Sequence, residues 1–469
     1  MVLGAAQRDF NEKSTLSNVL YMGVPSMVGF VATNLYGLID IFWVGQLGSA
    51  HVAAVTLFQA FAFVLSSTNM LVGSGSVAII SRRFGEKDYP ATRDAIKQTF
   101  ILKLILAITI AASSIFFVDK MLYLMHAAPD VVELGITYGQ CHLLALPILF
   151  VSFTMFTALR GIGQAPRAMH IMMLITALNV VLDPLLIFDR LPRTLSIAGI
   201  EMLAAGTKVG LGLGIKGAVI ARAISVFIGL MVGLFILRFG RNDINFSLLS
   251  GWKPDFRLMK GIIKIGFPVG LTNVVRTSMN AATASFVGMF GTIIVASYGF
   301  ASRILQITTF IGVGMSLGTA AIVGIYLGSE NAHRASDAVK KSTFIVLGIV
   351  GAMGVLIHLF AGQIMTVFTS EASIIAEGAT ALRILLIGQI MISVRMVVAS
   401  SFMGSGNTWP PLVISATCQS LRVMGIAFLV YVLGADQTSI WWAFTSAMTL
   451  ECLATIFWFR KGKWKKQQV

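Results

Sequence analysis

Long apolar runs alternate with short polar connections along the chain, at about residues 16–40, 52–80, 98–118, 134–159, 167–188, 214–237, 260–289, 295–327, 342–368, 380–403, 410–433 and 438–459. Runs of about 20 residues or more match the roughly 30 Å hydrocarbon thickness of a bilayer, so the pattern predicts twelve spanning helices in an all-α polytopic membrane protein. An even number of spans leaves both termini on one side.

The pattern repeats. Adding 243 to a residue number lands on a matching residue through much of the first half. Gly23 and Pro25 map to Gly266 and Pro268, and Gly45, Gly48, Val52 and Ala53 map to Gly288, Gly291, Val295 and Ala296. Gly75, Gly85, Asp94 and Lys97 map to Gly318, Gly328, Asp337 and Lys340, and Gly161 and Gly163 to Gly404 and Gly406. Beyond Gly217 the offset falls to 225, so 18 extra residues lie in the loop Arg190–Gly212; a tolerated insertion is the preferred reading and a lid the other. Six helices per half give both halves the same orientation, as parallel repeats about an axis along the membrane normal. The expected organisation is an N-terminal segment 1–15, a first lobe 16–237, a linker 238–259, a second lobe 260–459 and a basic tail 460–469, with a central cleft between the lobes.

Composition agrees. The chain is 56% hydrophobic and 12% charged, far from the roughly 25% charged residues of soluble domains. The net charge of +15 does not form one patch, so nucleic acid is not an expected partner. Of the 35 Lys and Arg residues, 23 fall in the termini and the connections on their side, and 5 in the opposite connections. The positive-inside rule therefore places both termini in the cytoplasm of a plasma (inner) membrane protein. The first apolar run is too long for a signal-peptide core and is expected to remain as a span. Cys141, Cys418 and Cys452 show no paired spacing, which suggests neither disulfide nor metal site. No cofactor is expected, and the protein is expected to act as a monomer in lipid on small amphiphilic molecules.

Few residues carry chemistry. Among 20 acids only Asp40, Asp183 and Glu451 lie well inside expected spans, where an acid costs about 2.5–3.5 kcal/mol and is a functional candidate by default. The first and fifth spans run the same way, so Asp40 and Asp183 reach similar depth. Tyr36 and Asn179, each four residues earlier, share their faces. Two acids that close do not both stay ionised in low dielectric, so the group is expected to hold H⁺ or Na⁺, with Na⁺ at Asp40, Asn179 and Asp183. The repeat partners Thr283 and Ile426 are not acidic, which confines this site to the first lobe. The bland alternative is that the acids hold helices together. Pro25 and Pro268 each free a carbonyl and permit a bend. Lys103 is expected near a helix end, snorkelling to the interface. Arg222, Arg276, Arg303, Arg383, Arg395 and Arg422 are expected within spans. Arg222, Arg276 and Arg422 either pair with Glu451 or with backbone carbonyls, or line the cleft. The histidines, His142 among them, form no cluster.

Pro25, the stretch Asn34–Asp40, Trp43-Val-Gly45, the Leu159–Gly163 turn and Leu178–Pro184 together resemble the multidrug and toxic compound extrusion (MATE) transporters, closest to the DinF-type prokaryotic branch. The resemblance covers nearly the whole chain. It implies two pseudo-symmetric six-helix lobes and export of organic compounds driven by inward H⁺ or Na⁺. Asp40, Asn179 and Asp183 would then be the cation site, with Tyr36 beside it, Pro25 at the bend, and Asn34, Arg222 and Arg276 as cleft-lining candidates. Two departures follow. Some relatives carry a Thr where this chain has Arg222, a fixed cation that disfavours Na⁺. The NorM-type branch has a Glu where this chain has Arg276, so an acidic site in the second lobe is not implied. A lipid-linked oligosaccharide flippase, its arginines holding a pyrophosphate, remains the alternative. A membrane-embedded transferase lacks the clustered acids or His/metal constellation it would need, so no enzyme is expected.

Overall fold

A computed structural model describes residues 8–125, 127–190, 210–240, 244, 246 and 253–467. The first half holds α1 (Thr15–Gly45), α2 (Ser49–Gly85), α3 (Tyr89–Ser114), α4 (Val118–Leu124), α5 (Pro129–Gly161), α6 (Ala165–Ile187) and α7 (Ile215–Phe239). The second holds α8 (Phe256–Gly288), α9 (Thr292–Gly328), α10 (Ala332–Leu359), α11 (Ala361–Thr366), α12 (Ala372–Ser405), α13 (Trp409–Tyr431) and α14 (Gln437–Arg460). Twelve of these are long and apolar enough to cross a membrane, and no strand occurs among the described residues. Helices suit that setting because each satisfies its backbone hydrogen bonds internally.

The 243-residue repeat is obeyed in detail. Ser49–Gly85 becomes Thr292–Gly328, both ends shifted alike. The Asp88 side chain caps α3 by accepting from the Ala91 N–H, and Asn331 caps α10 by accepting from the Arg334 N–H. Thr99 donates to Ser76 across α3 and α2 at 3.0 Å, and its repeat partner Ser342 pairs with Thr319 across α10 and α9 at 2.9 Å. Chemically similar residues at caps and packing positions thus carry one architecture twice.

Hydropathy misjudged two segments. The expected spans 98–118 and 342–368 are instead α3 and α10, which start at Tyr89 and Ala332 and break before the short helices α4 and α11. An apolar average does not register the polar first turns that a side-chain cap secures, nor a break at an apolar residue such as Phe117 or Phe360. The early start of α3 also corrects the placement of Lys103. It lies about four turns into the helix and is wholly buried, its Nζ 5.6 Å from the centre of the Phe153 ring, so it does not snorkel. Residues 191–209 of the expected insertion, and 241–243, 245 and 247–252 of the expected linker, lie outside the described residues. Where the chain is next described, Leu211 and Leu213 donate backbone hydrogen bonds to Leu185 and Leu186 beside the end of α6.

The two halves meet at the face that carries the termini. Asn18 at the start of α1 donates to the Tyr326 hydroxyl of α9 at 2.8 Å, and Arg334 of α10 donates to the Phe10, Asn11 and Lys13 carbonyls. Near this face one continuous buried cluster includes residues of both halves, among them Met22, Val77 and Ile80 with Ile262, Ile322 and Tyr326. Toward the opposite face the core divides. Trp43, Phe58, Leu146 and Ile215 pack within the first half, and Val287, Leu305, Leu382 and Trp441 within the second. The lobes therefore join at the terminal face and part at the other, leaving a cleft that opens away from the termini.

Close backbone approach makes the joint possible. A Cβ on Gly75 of α2 would lie 2.0 Å from the Ile262 carbonyl oxygen of α8, and one on Gly318 of α9 would lie 2.6 Å from the Met22 carbonyl oxygen of α1. These contacts are related by the repeat, as are those of Gly85 with Ile325 and Gly328 with Arg82, where α2 meets α9 at the pseudo-twofold axis.

Candidate functional site

Asp40 stands five residues before the end of α1 and is 2% exposed. The opposite-running α7 brings Arg222 from its second turn to the same depth, with Nη2 3.2 Å from Asp40 Oδ2. The guanidinium also lies 5.2 Å from the centre of the Tyr36 ring, one turn below Asp40. On α6, buried Asp183 accepts a 3.0 Å hydrogen bond from Asn179 Nδ2, an i to i+4 pair, and lies within electrostatic range of Asp40 and Arg222. Asp40, Asp183, Asn179 and Tyr36 are thus gathered in one place between α1, α6 and α7.

The cluster is incompletely satisfied. Asp40 Oδ1, Asn179 Oδ1 and Asp183 Oδ2 are buried with no hydrogen-bond partner among the described residues. Two carboxylates face one guanidinium, so one negative charge is uncompensated if both acids are ionised. An unsatisfied charged oxygen in a low-dielectric site is costly, and a proton, a water or a small cation would relieve it. The two carboxylates and the amide oxygen form an oxygen donor set suited to Na⁺, but Arg222 already occupies one side of Asp40.

Of the other candidates, Asn34 is half-buried and donates to the Phe30 carbonyl of its own helix at 2.7 Å. α1 runs unbroken through Pro25. Neither Arg222, Arg276 nor Arg422 pairs with Glu451, whose Oε1 is 3.4 Å from Arg395 Nε and whose Oε2 accepts from Gln419 at 2.8 Å. α12 and α14 are neighbours in the second lobe, whereas Arg222 belongs to the first.

Sequence reasoning missed Tyr138 and His142 on α5. Their rings stack at 6.1 Å with a 28° interplanar angle, and both lie within electrostatic range of Arg222. Two polar rings four residues apart in an apolar run were the available signal, but nothing local says which helix they face.

Comparison with known proteins agrees with the repeated helical fold. The MatE family model matches residues 25–185 and 268–428, two segments related by the same 243-residue offset. The multidrug export protein MepA of Staphylococcus saprophyticus is 24% identical over 95% of this chain and 94% of its own. Two solved structures superpose with a TM-score of 0.85 at 25% identity over 96% of each chain. One is an outward-facing MATE family transporter of the MOP superfamily; the other is a MOP superfamily transporter from Pyrococcus furiosus, described by a binding pocket of reverse polarity. With both halves matched by the family model, the chain belongs to the MatE family of multi-pass membrane transporters.

Proposed function

We propose that the chain is a secondary active multidrug exporter, working by alternating access, in which inward H⁺ drives the exit of amphiphilic organic compounds. The observation that carries this reading is the buried Asp40–Arg222 and Asp183–Asn179 cluster with three unsatisfied oxygens. The export activity named for the MepA relative supports the direction. The basic connections of the terminal face support a cytoplasmic position for it; in that orientation the cleft opens outward and the cluster is reached from outside.

In this mechanism a proton entering from outside neutralises one carboxylate. If it goes to Asp40, the direct ion pair with Arg222 is broken and Asp183 becomes the guanidinium's remaining carboxylate, a change in buried pairing worth up to roughly 3–5 kcal/mol. That is enough to rearrange α1 against α6 and α7 and to shift which face is open. H⁺ is preferred over Na⁺ because the Arg222 guanidinium competes electrostatically with any cation brought beside Asp40. The working unit is the monomer, since the cluster and the cleft are built within one chain. The flippase reading has one observation in its favour, the arginines of the second lobe.

The test is dye efflux from proteoliposomes under separately imposed proton and Na⁺ gradients. Efflux should follow the proton gradient and fall at least tenfold in Asp40→Asn and in Asp183→Asn. Efflux sustained by a Na⁺ gradient alone, or unchanged in Asp40→Asn, would remove the coupling assignment.

A further inference from the structure

The second lobe holds a cavity of about 280 Å³ among α8, α9, α12, α13 and α14, lined by Arg276, Asn280, Tyr298, Gln389, Arg422 and Phe444 among others. Arg422 is 2% exposed; its guanidinium lies 5.0 Å from the centre of the Phe444 ring, and its Nη2 donates to Asn280 Oδ1 at 2.9 Å. Its Nε is buried without a partner, and among the described residues no carboxylate stands within ion-pair distance of Arg276 or Arg422. The nearby acid, Glu451, is committed to Arg395 and Gln419. Three arginines therefore share one glutamate in this interior.

The repeat sharpens the contrast. Arg422 occupies the position equivalent to Asn179, Ile426 that of Asp183, and Thr283 that of Asp40. At the place where the first lobe gathers acids, the second gathers arginines. Unpaired arginines are costly in an apolar interior, and planar guanidinium forks match carboxylate and phosphate oxygens bidentately.

We propose that this cavity is a binding site for the carboxylate or phosphate head of an anionic amphiphile, held by Arg276 and Arg422 with Asn280 fixing the Arg422 fork. The aromatic and apolar walls, Tyr298 and Phe444 with Leu305 and Met448, receive the first carbons of its tail. The volume fits a head group and a short stretch of chain, so the remaining tail extends toward the cleft. This assignment of substrate class rests on the export reading above.

The probe is 11-(dansylamino)undecanoate, titrated onto the full chain in nanodiscs by fluorescence, beside its methyl ester and a trimethylammonium analogue, with dodecyl phosphate and inorganic phosphate as competitors. The carboxylate should bind at least tenfold tighter than the ester or the ammonium, the margin expected of one charge-assisted pair, and more weakly as salt rises. Competition by dodecyl phosphate but not by inorganic phosphate identifies an amphiphile site; competition by inorganic phosphate alone identifies a free-anion site and overturns the amphiphile assignment. Arg276→Gln, whose side chain is only partly buried, should erase most of the preference with the melting temperature unchanged, and Arg422→Gln should do the same if it folds. Equal binding of acid and ester by the unaltered protein overturns the proposal with no variant needed. If proton-driven dye efflux persists in that case, the anion site falls and the coupling mechanism stands.

Discussion

Gly85→Ala is the smallest change that separates a packing role of the central helix contact from a conformational one. A Cβ added at Gly85 meets the Ile325 carbonyl oxygen at 2.1 Å, and carbonyl carbon and Cα of the same residue at 2.9 Å. Ordinary contact begins near 3.4 Å, so α2 and α9 must part by roughly 1.3 Å, and backbone atoms cannot rotate away as a side chain would. Overpacking of this kind costs about 1–3 kcal/mol. Only the state in which the terminal face is closed bears it, because the contact is lost when that face opens. The ratio of the two states should therefore move roughly 5- to 150-fold toward the one open at the terminal face. Spin labels at Gln46 and Met289 read this. The two positions are repeat equivalents and both exposed at the far face, one on each lobe. Cys141, Cys418 and Cys452 are replaced beforehand, since all three are free thiols. Pulsed dipolar spectroscopy should show one long distance in the parent and a second, shorter population in Gly85→Ala. Gly328→Ala, whose Cβ would meet the Arg82 carbonyl oxygen at 2.1 Å, should do the same through the equivalent contact. An unaltered distance distribution in a variant that melts at the parent temperature would refute the idea that these glycines set the closed state.

Further outcomes follow from the buried charges. Asp40→Asn removes the direct partner of Arg222 and leaves it only the more distant Asp183, which should lower the melting temperature by up to about 3 kcal/mol of stability, whereas Asp40→Asn with Arg222→Gln should regain stability and still fail in proton-driven efflux. Glu451→Gln should be similarly costly because Arg395 is 5% exposed and, among the described residues, forms no other ion pair; adding Arg395→Met should restore the melting temperature. Lys103→Met should be neutral or stabilising in thermal unfolding, since Lys103 Nζ is buried without a hydrogen-bond partner among the described residues and a linear apolar side chain of similar length removes an unmatched polar group.

The periodic part of this protein was legible in its sequence. Apolar length identified the spans, and the recurrence of Gly75 and Gly85 at Gly318 and Gly328 announced two like-oriented halves. What those glycines touch was not legible, because the carbonyls of Ile262, Ile325, Met22 and Arg82 that they admit belong in each case to the other lobe. The acid cluster was half legible. Spacing along one helix put Asn179 with Asp183 and Tyr36 with Asp40, and common depth suggested that the two pairs meet. The partner of Asp40 required knowing that α7 returns beside α1 with Arg222 at the same height, information held in tertiary packing alone. Lys103 failed for a different reason, since hydropathy located the apolar part of α3 and missed the polar turns that precede it.

The repeat and its violations then say different things. Positions that keep one role across 243 residues, the caps at Asp88 and Asn331 or the Thr99–Ser76 and Ser342–Thr319 pairs, are those that two similar bundles need in order to fold and to close against each other. Positions that depart, Asp40 against Thr283 and Asn179 against Arg422, lie in the interiors, where a charge contributes nothing to packing and is costly to bury. A symmetric scaffold permits the lobes to exchange which face is open, but by itself it gives no reason for an ion entering one lobe to matter to a molecule held in the other. Acids in the interior of one lobe and arginines in the interior of the other supply that reason. On the function proposed above, neutralising a carboxylate in the first lobe would change the field felt across the cleft by the arginines of the second, and would couple the two proposed sites without any contact between them.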